Sequence, residues 1–271
     1  MVSESPIGDG WPGAPSIVLL RLQGGEVEYV EQVGDLAQVR AWASISKMVV
    51  AMAFAVEVDW GVHYFDEEFG PGGATLANLL SHSSGLGLEE GDRVVPLATQ
   101  RVYSNVAVNH AVDVAVGGGD AASWLEDRVF VALGLATTRL AGRPCADVVG
   151  STGDLATLAV AWLRPDLVGT ATRDRMIEPY LAELSGIVPG FGRFTPCAWG
   201  LGPELRGTKH HWMGDWPPRS FGHFGQSGSL MLLNADEQIG VVATSTEPFG
   251  AWAVELWPEW TSAMRRRILD S

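Results

Sequence analysis

The chain has 271 residues, 46% of them hydrophobic, and a formal charge of −14 from 32 acidic against 18 basic side chains. Such a length buries a sizeable core without staples. The acidic balance excludes nucleic acid and anionic membrane as expected partners, since either needs a basic surface, and leaves a small neutral or cationic molecule as the better fit.

Met1 to Pro6 shows neither a positive n-region nor an apolar h-region, and the apolar run Met48–Val56 is too short to span a bilayer, so a cytoplasmic protein is expected. Cys145 and Cys197 form no Cys-x-x-Cys or Cys/His cluster, so no metal, no cofactor and no disulfide is implied.

In chain order, Ser16–Leu22 reads as a strand, Gly24-Gly25 as a turn and Glu26–Val30 as its alternating partner. A helix from about Ser44 to Val58, apolar all round in its middle, is expected to be buried. Asp66–Gly73 is a loop, after which Thr75 caps a short helix to Ser81. Helices are expected over Val106–Val116, closed by three glycines, and over Asp120–Leu133, with Gly134 as stop. Ser151 to Asp154 resembles a capping box for Leu155–Leu163, and a further helix is expected across Ala171–Leu184. After a loop, Arg206–Ser220, the period returns to strands at His223–Leu233 and Ile239–Thr244. A final helix, about Ala251–Leu269, carries Pro258 as an expected kink and three arginines at its end.

Ser44 and Lys47, three apart at the start of the first helix, share one face. A serine hydroxyl needs a neighbour to take its proton, and a helix N-terminus supplies free N–H groups for a developing oxyanion. Only Lys47 and Lys209 among the basic residues are lysines. Arginine does not give up its proton, so a lysine kept here points to a deprotonatable amine. A capped surface helix with a solvated lysine would produce the same spacing.

Other motifs follow in order: Thr75…Leu79-Leu80-x-His82-x-Ser84-Gly85-Leu86, Tyr103-x-Asn105, Trp124-Leu125-Glu126…Leu133-Gly134-Leu135, and His223-x-Gly225 before a hairpin. Together with Ser44-x-x-Lys47 they resemble the serine β-lactamase and penicillin-binding-protein superfamily, most closely the class C-like branch that also holds carboxylesterases, transesterases and D-amino-acid peptidases. The resemblance covers roughly Arg40 to Ser245. It implies an α+β fold, an antiparallel sheet built from both chain ends (1–60 and 195–271) with an inserted helical subdomain (61–194), together one catalytic domain.

The resemblance also implies roles: Ser44 as nucleophile, Lys47 as its proton acceptor or relay, Tyr103 as partner in proton transfer, Asn105 as ligand of a substrate carbonyl, and His223 where relatives carry Lys or His. The oxyanion hole would be the N–H groups of Ser44 and Gln226, with Gly225 kept bare for the substrate's approach. Only 58 residues lie between Ser44 and Tyr103, short for this family, which implies trimmed pocket walls.

His82 is expected to cap or pack rather than act as a base. His210 and His211, adjacent, would point to opposite faces of a strand and not chelate one metal; a solvated or lid role is expected. Trp212 and Trp216 either line an acyl pocket or pack their loop onto the helical subdomain. The expected function is a serine hydrolase forming an acyl-enzyme on Ser44 from a carboxylic ester or small amide. The alternatives are a β-lactamase or D,D-peptidase, and, from another class, a silent relative that binds a small ligand. The oligomeric state stays open.

Overall fold

The structure, a computed structural model, describes residues 6–271; the reading of the first residues as free of a leader falls mainly on Met1–Ser5, outside the described residues. The chain opens with a hairpin of β1 (Ser16–Gln23) and β2 (Glu26–Val33), turning at Gly24 and Gly25, both at positive φ. A short strand β3 (Val39–Ala41) then leads through a 3₁₀ turn, Ala43–Ile45, into α1 (Ser46–Asp59). Ser44 therefore sits in that tighter turn, ahead of the α-helix rather than inside it.

The middle of the chain carries α2 (Leu76–Leu80), α3 (Asn105–Val116), α4 (Ala121–Leu125) and α5 (Val131–Leu133). A π-turn over Glu126–Phe130 separates the last two, where one continuous helix was expected. Thr75 caps α2 in a reciprocal box with Asn78, worth about 1 kcal/mol. Gly117 and Gly134 end their helices in the left-handed conformation that the sequence pattern anticipates.

β4 (Arg139–Leu140) and β5 (Val148–Ser151) join β3 in a three-stranded sheet that the sequence reading missed. In α6 (Thr152–Leu163) only half of the expected capping box forms: Ser151 Oγ accepts from the Asp154 N–H, but the Asp154 carboxylate accepts instead from Thr137 and Thr138. α7 (Thr170–Met176) is much shorter than the expected 171–184 helix, because Pro179 offers no N–H to continue it.

A small hairpin, β6 (Gly186–Val188) and β7 (Gly192–Phe194), precedes β8 (Glu204–Leu205), β9 (Phe221–Gly225), β10 (Ser229–Asn234), β11 (Ile239–Thr244) and α8 (Ala251–Leu269). Pro258 lies inside α8 without ending it. The main sheet runs β2-β1-β11-β10-β9-β8, with every described pairing antiparallel. N- and C-terminal strands thus meet at β1–β11, where Ser16 faces Thr244 and Arg21 faces Ile239.

Burial explains why these strands read as continuous apolar runs. Val18, Leu20, Met231, Leu233 and Val242 belong to a core shared with α1 and α6, whereas Ile17, Leu19, Leu230, Leu232 and Val241 belong to one shared with α8. Both faces of the sheet are covered, so successive side chains are buried on opposite sides. α1 is enclosed from Ser46 to Glu57; fully burying each Val, Met or Phe there contributes roughly 1.5–3 kcal/mol. The helix behind Ser44 is therefore a core pillar. Among the described residues no helix is long and apolar enough to cross a membrane.

Candidate active site

The turn that holds Ser44 is fixed from behind by Trp42, which is fully buried. Its N–H donates to the Val148 carbonyl (2.9 Å), its indole N–H to the Gly150 carbonyl (3.1 Å), and its own carbonyl accepts from Ser229 Oγ (2.9 Å). Ala43, next along, has φ +47°, a left-handed conformation that costs a non-glycine residue roughly 1–3 kcal/mol and persists only where its surroundings enforce it. Ser46, the nearest other hydroxyl, is tied into the same support: it donates to the Ala43 carbonyl (2.6 Å) and accepts from the Val148 N–H (3.0 Å). Its part is structural.

Lys47 is buried beneath Ser44, with Nζ 3.3 Å from Ser44 Oγ, 2.7 Å from Asn105 Oδ1 and 2.9 Å from the Cys145 carbonyl. Burial lowers its pKa to about 8. In the neutral amine the two N–H groups satisfy Asn105 and Cys145, which leaves the nitrogen lone pair for the Ser44 hydroxyl. The Cys145 carbonyl is a backbone group, invisible to any reading of side-chain motifs.

Tyr103 stands between Ser44 and His223. Its ring lies 4.7 Å beneath Lys47 Nζ, and its hydroxyl is 3.4 Å from His223 Nε2. His223 Nδ1 is 2.7 Å from the Phe224 carbonyl and must donate there, so Nε2 carries the lone pair that accepts from Tyr103. Burial, reinforced by Lys47, lowers the His223 pKa to about 4, and burial pushes the Tyr103 phenol upward. Both are neutral at physiological pH. His82 packs against Tyr103 and Trp199, with ring centroids 4.6 and 5.0 Å away, and accepts the Ser104 N–H at Nδ1. It is a packing residue, as its place at a helix end suggests.

The Asn105 amide is engaged on both sides, since Nδ2 donates to Glu89 Oε1 (2.6 Å) while Oδ1 accepts from Lys47. To hold a substrate carbonyl, Nδ2 would have to exchange Glu89 for it. The backbone N–H groups of Ser44 and Gln226 donate to nothing among the described residues, the requirement for a pair of oxyanion donors. A Cβ on Gly225 would lie 2.5 Å from the Trp42 carbonyl and from Ser229 Oγ, and 2.8 Å from Ala43 Cβ, so the bare backbone is needed for β9 to approach the serine turn.

Ser44, Tyr103, Asn105, His223 and Gln226 line one cavity of about 250 Å3, walled also by Leu88, Glu89, Val188, Pro189, Trp199, Glu204 and Phe224. Trp212 and Trp216 are not among these walls. Both are buried in the core between the sheet and α8, where Trp216 donates to the Thr261 carbonyl (2.8 Å), so neither the acyl-pocket nor the helical-subdomain placement holds. His211 is likewise buried, not solvated. Its Nε2 is 2.7 Å from Glu204 Oε1, to which Lys209 also binds at 2.7 Å, and the Trp212 indole donates to Glu204 Oε2 at 2.9 Å. Burial pushes the Glu204 carboxyl up, but Lys209 and His211 outweigh it and hold the group well below the usual carboxylate range. Among the described residues no cluster of three or more His, Cys, Asp or Glu is placed to hold a metal ion.

An antiparallel sheet flanked by helices, with a serine turn at the head of a buried helix, defines a protein of the serine beta-lactamase and penicillin-binding-protein class. Residues 12–260 match the family model described as Beta-lactamase, and the chain belongs to that family. A beta-lactamase (Mb2281c) from Mycobacterium bovis, known from its crystal structure, is 33% identical, with TM-score 0.90 over 96% of this chain and 97% of that one. Simvastatin synthase (LovD, LovD6 mutant) from Aspergillus terreus is 14% identical, with TM-score 0.75 over 97% and 92% of the two chains. D-amino acid amidase from Ochrobactrum anthropi SV3 is 16% identical, with TM-score 0.70 over 95% and 93%. At such identities the last two show the fold alone. Among curated proteins none matches the sequence.

Proposed function

We propose that the protein is a serine hydrolase that forms an acyl-enzyme on Ser44 from carboxylic esters or small amides. The observation that carries this reading is Lys47, whose two carbonyl acceptors at 2.7 and 2.9 Å leave its lone pair for Ser44 Oγ. Ser44 Oγ attacks the ester carbon, its proton passes to Lys47 Nζ, and the oxyanion rests on the N–H groups of Ser44 and Gln226. The Tyr103 hydroxyl donates to the departing alkoxide and is refilled by the Lys47 ammonium. Water then repeats the sequence on the acyl-enzyme.

The cavity around Ser44 favours a small acyl group, because about 250 Å3 lies below the roughly 300–1,000 Å3 usual for drug-sized ligands. Turnover of fused β-lactams is the competing reading, supported by the 33% identity to the beta-lactamase of Mycobacterium bovis. A fluorophosphonate probe is expected to label the peptide holding Ser44, located by mass spectrometry, and p-nitrophenyl esters of short acids are expected to exceed a chromogenic cephalosporin in kcat/KM. Label at another serine refutes the nucleophile; cephalosporin turnover matching the best ester assigns the enzyme to β-lactams instead.

A further inference from the structure

A second hollow of about 350 Å3 adjoins the active-site cavity, and Leu88, Tyr103 and Pro189 are walls of both. It is lined by apolar side chains left in contact with water, Leu88 at 42% and Ile187 at 53% exposure. It is also lined by two exposed arginines from separate elements, Arg93 in the loop between α2 and α3 and Arg193 on β7. Neither guanidinium has a hydrogen bond or an ion pair among the described residues. Elsewhere the arginines are mostly spent, as in Arg128 on Glu57, Arg219 on Glu178 and Asp236, and Arg101, which lines the same hollow but gives its donors to the carbonyls of Ser81, Tyr180, Leu181 and Cys197. The charged walls of this hollow are Arg93, Arg101 and Arg193, with no acid among them, in a chain of charge −14 whose same loop also carries Glu89, Glu90 and Asp92.

We infer that the two hollows form one substrate groove. The ester lies at Ser44, while the leaving alcohol is an unbranched apolar chain that runs over Leu88 and Ile187 and ends in a carboxylate held by Arg93 and Arg193. The leaving side is assigned because the shared wall is Tyr103, the donor to the departing oxygen, so a group leaving past Tyr103 enters the second hollow. A planar guanidinium pairs with a carboxylate through two parallel hydrogen bonds, so two such cations in a hollow beside the serine select a leaving group with a negative end. The inference rests on the serine-hydrolase reading above and adds the class of alcohol.

The test compares the butyryl ester of 6-hydroxyhexanoic acid with that of its neutral amide, with product quantified by chromatography. The carboxylate ester is expected to show a kcat/KM higher by about tenfold, carried mainly by KM and eroded by added salt. In the Arg93→Gln, Arg193→Gln double variant that preference should vanish while turnover of the amide and labelling of Ser44 persist. Equal kcat/KM for the two esters, or a preference that survives in the double variant, overturns the inference while leaving the hydrolase reading intact. No turnover of either ester together with an unlabelled Ser44 overturns both.

Discussion

Replacing Lys47 with arginine is expected to lower ester kcat/KM about 1,000-fold, nearly as much as replacing it with alanine, in line with the usual contribution of a positioned general base. Arginine keeps the charge but stays protonated at any accessible pH, so it separates a base from a fixed cation. In the native protein the amine with a pKa of about 8 must be neutral to act. Activity should therefore rise about ninefold from pH 6 to 7 and about fivefold from pH 7 to 8, and level off above about pH 9. His223, with a pKa of about 4, adds no second limb in that range. A flat profile between pH 6 and 9, or an arginine variant of near-native activity, would pass the base role to Tyr103. Burial argues against that outcome, since it pushes the phenol upward and keeps it protonated.

The second large effect concerns stability. Lys209 and Glu204 are each about 1% exposed and 2.7 Å apart. Lys209→Met leaves the carboxylate buried with only His211 and Trp212 to satisfy it, and breaking a buried pair from one side typically costs 3–5 kcal/mol, about the scale expected here. Urea titration should show the loss at pH 8 and a smaller one toward pH 5. The sign follows from linkage: a proton taken up by Glu204 or His211 neutralises the orphaned charge in the folded state, so the variant gains stability as pH falls. Adding Glu204→Gln should recover much of the deficit. A single variant within 1 kcal/mol of native would show that water reaches Glu204 as freely as Lys209 does.

What was legible in the sequence is what local chemistry writes there. Ser44 and Lys47 are neighbours on one turn, Thr75 and Ser151 are caps, and the apolar runs of β1 and β11 are long enough to demand burial. Pairings between distant, very short segments were not legible. Val39 in β3 pairs with Ser151 in β5, and three residues carry too little pattern to announce it. Other parts of the site are made by backbone, as with the Cys145 carbonyl on Lys47 and the approach of Gly225 to Trp42. Trp212 and Trp216 misled because tryptophan suits pocket and core equally. Glu204 was within reach. The scarcity of lysine that singled out Lys47 applies equally to Lys209, and asking what a second retained lysine neutralises leads to a buried acid.

The enclosure of both lysines also decides how this chain meets a protease. Lys47 and Lys209 are about 1% exposed and anchored in separate cores, one beside α1 and the other beside the Trp212 loop. An endoprotease that cuts only after lysine finds no scissile bond on the native surface. Each cut requires the surrounding core to open, so digestion should proceed at the pace of large-scale opening rather than of loop motion. Which of the two bonds goes first reports which half of the molecule opens first.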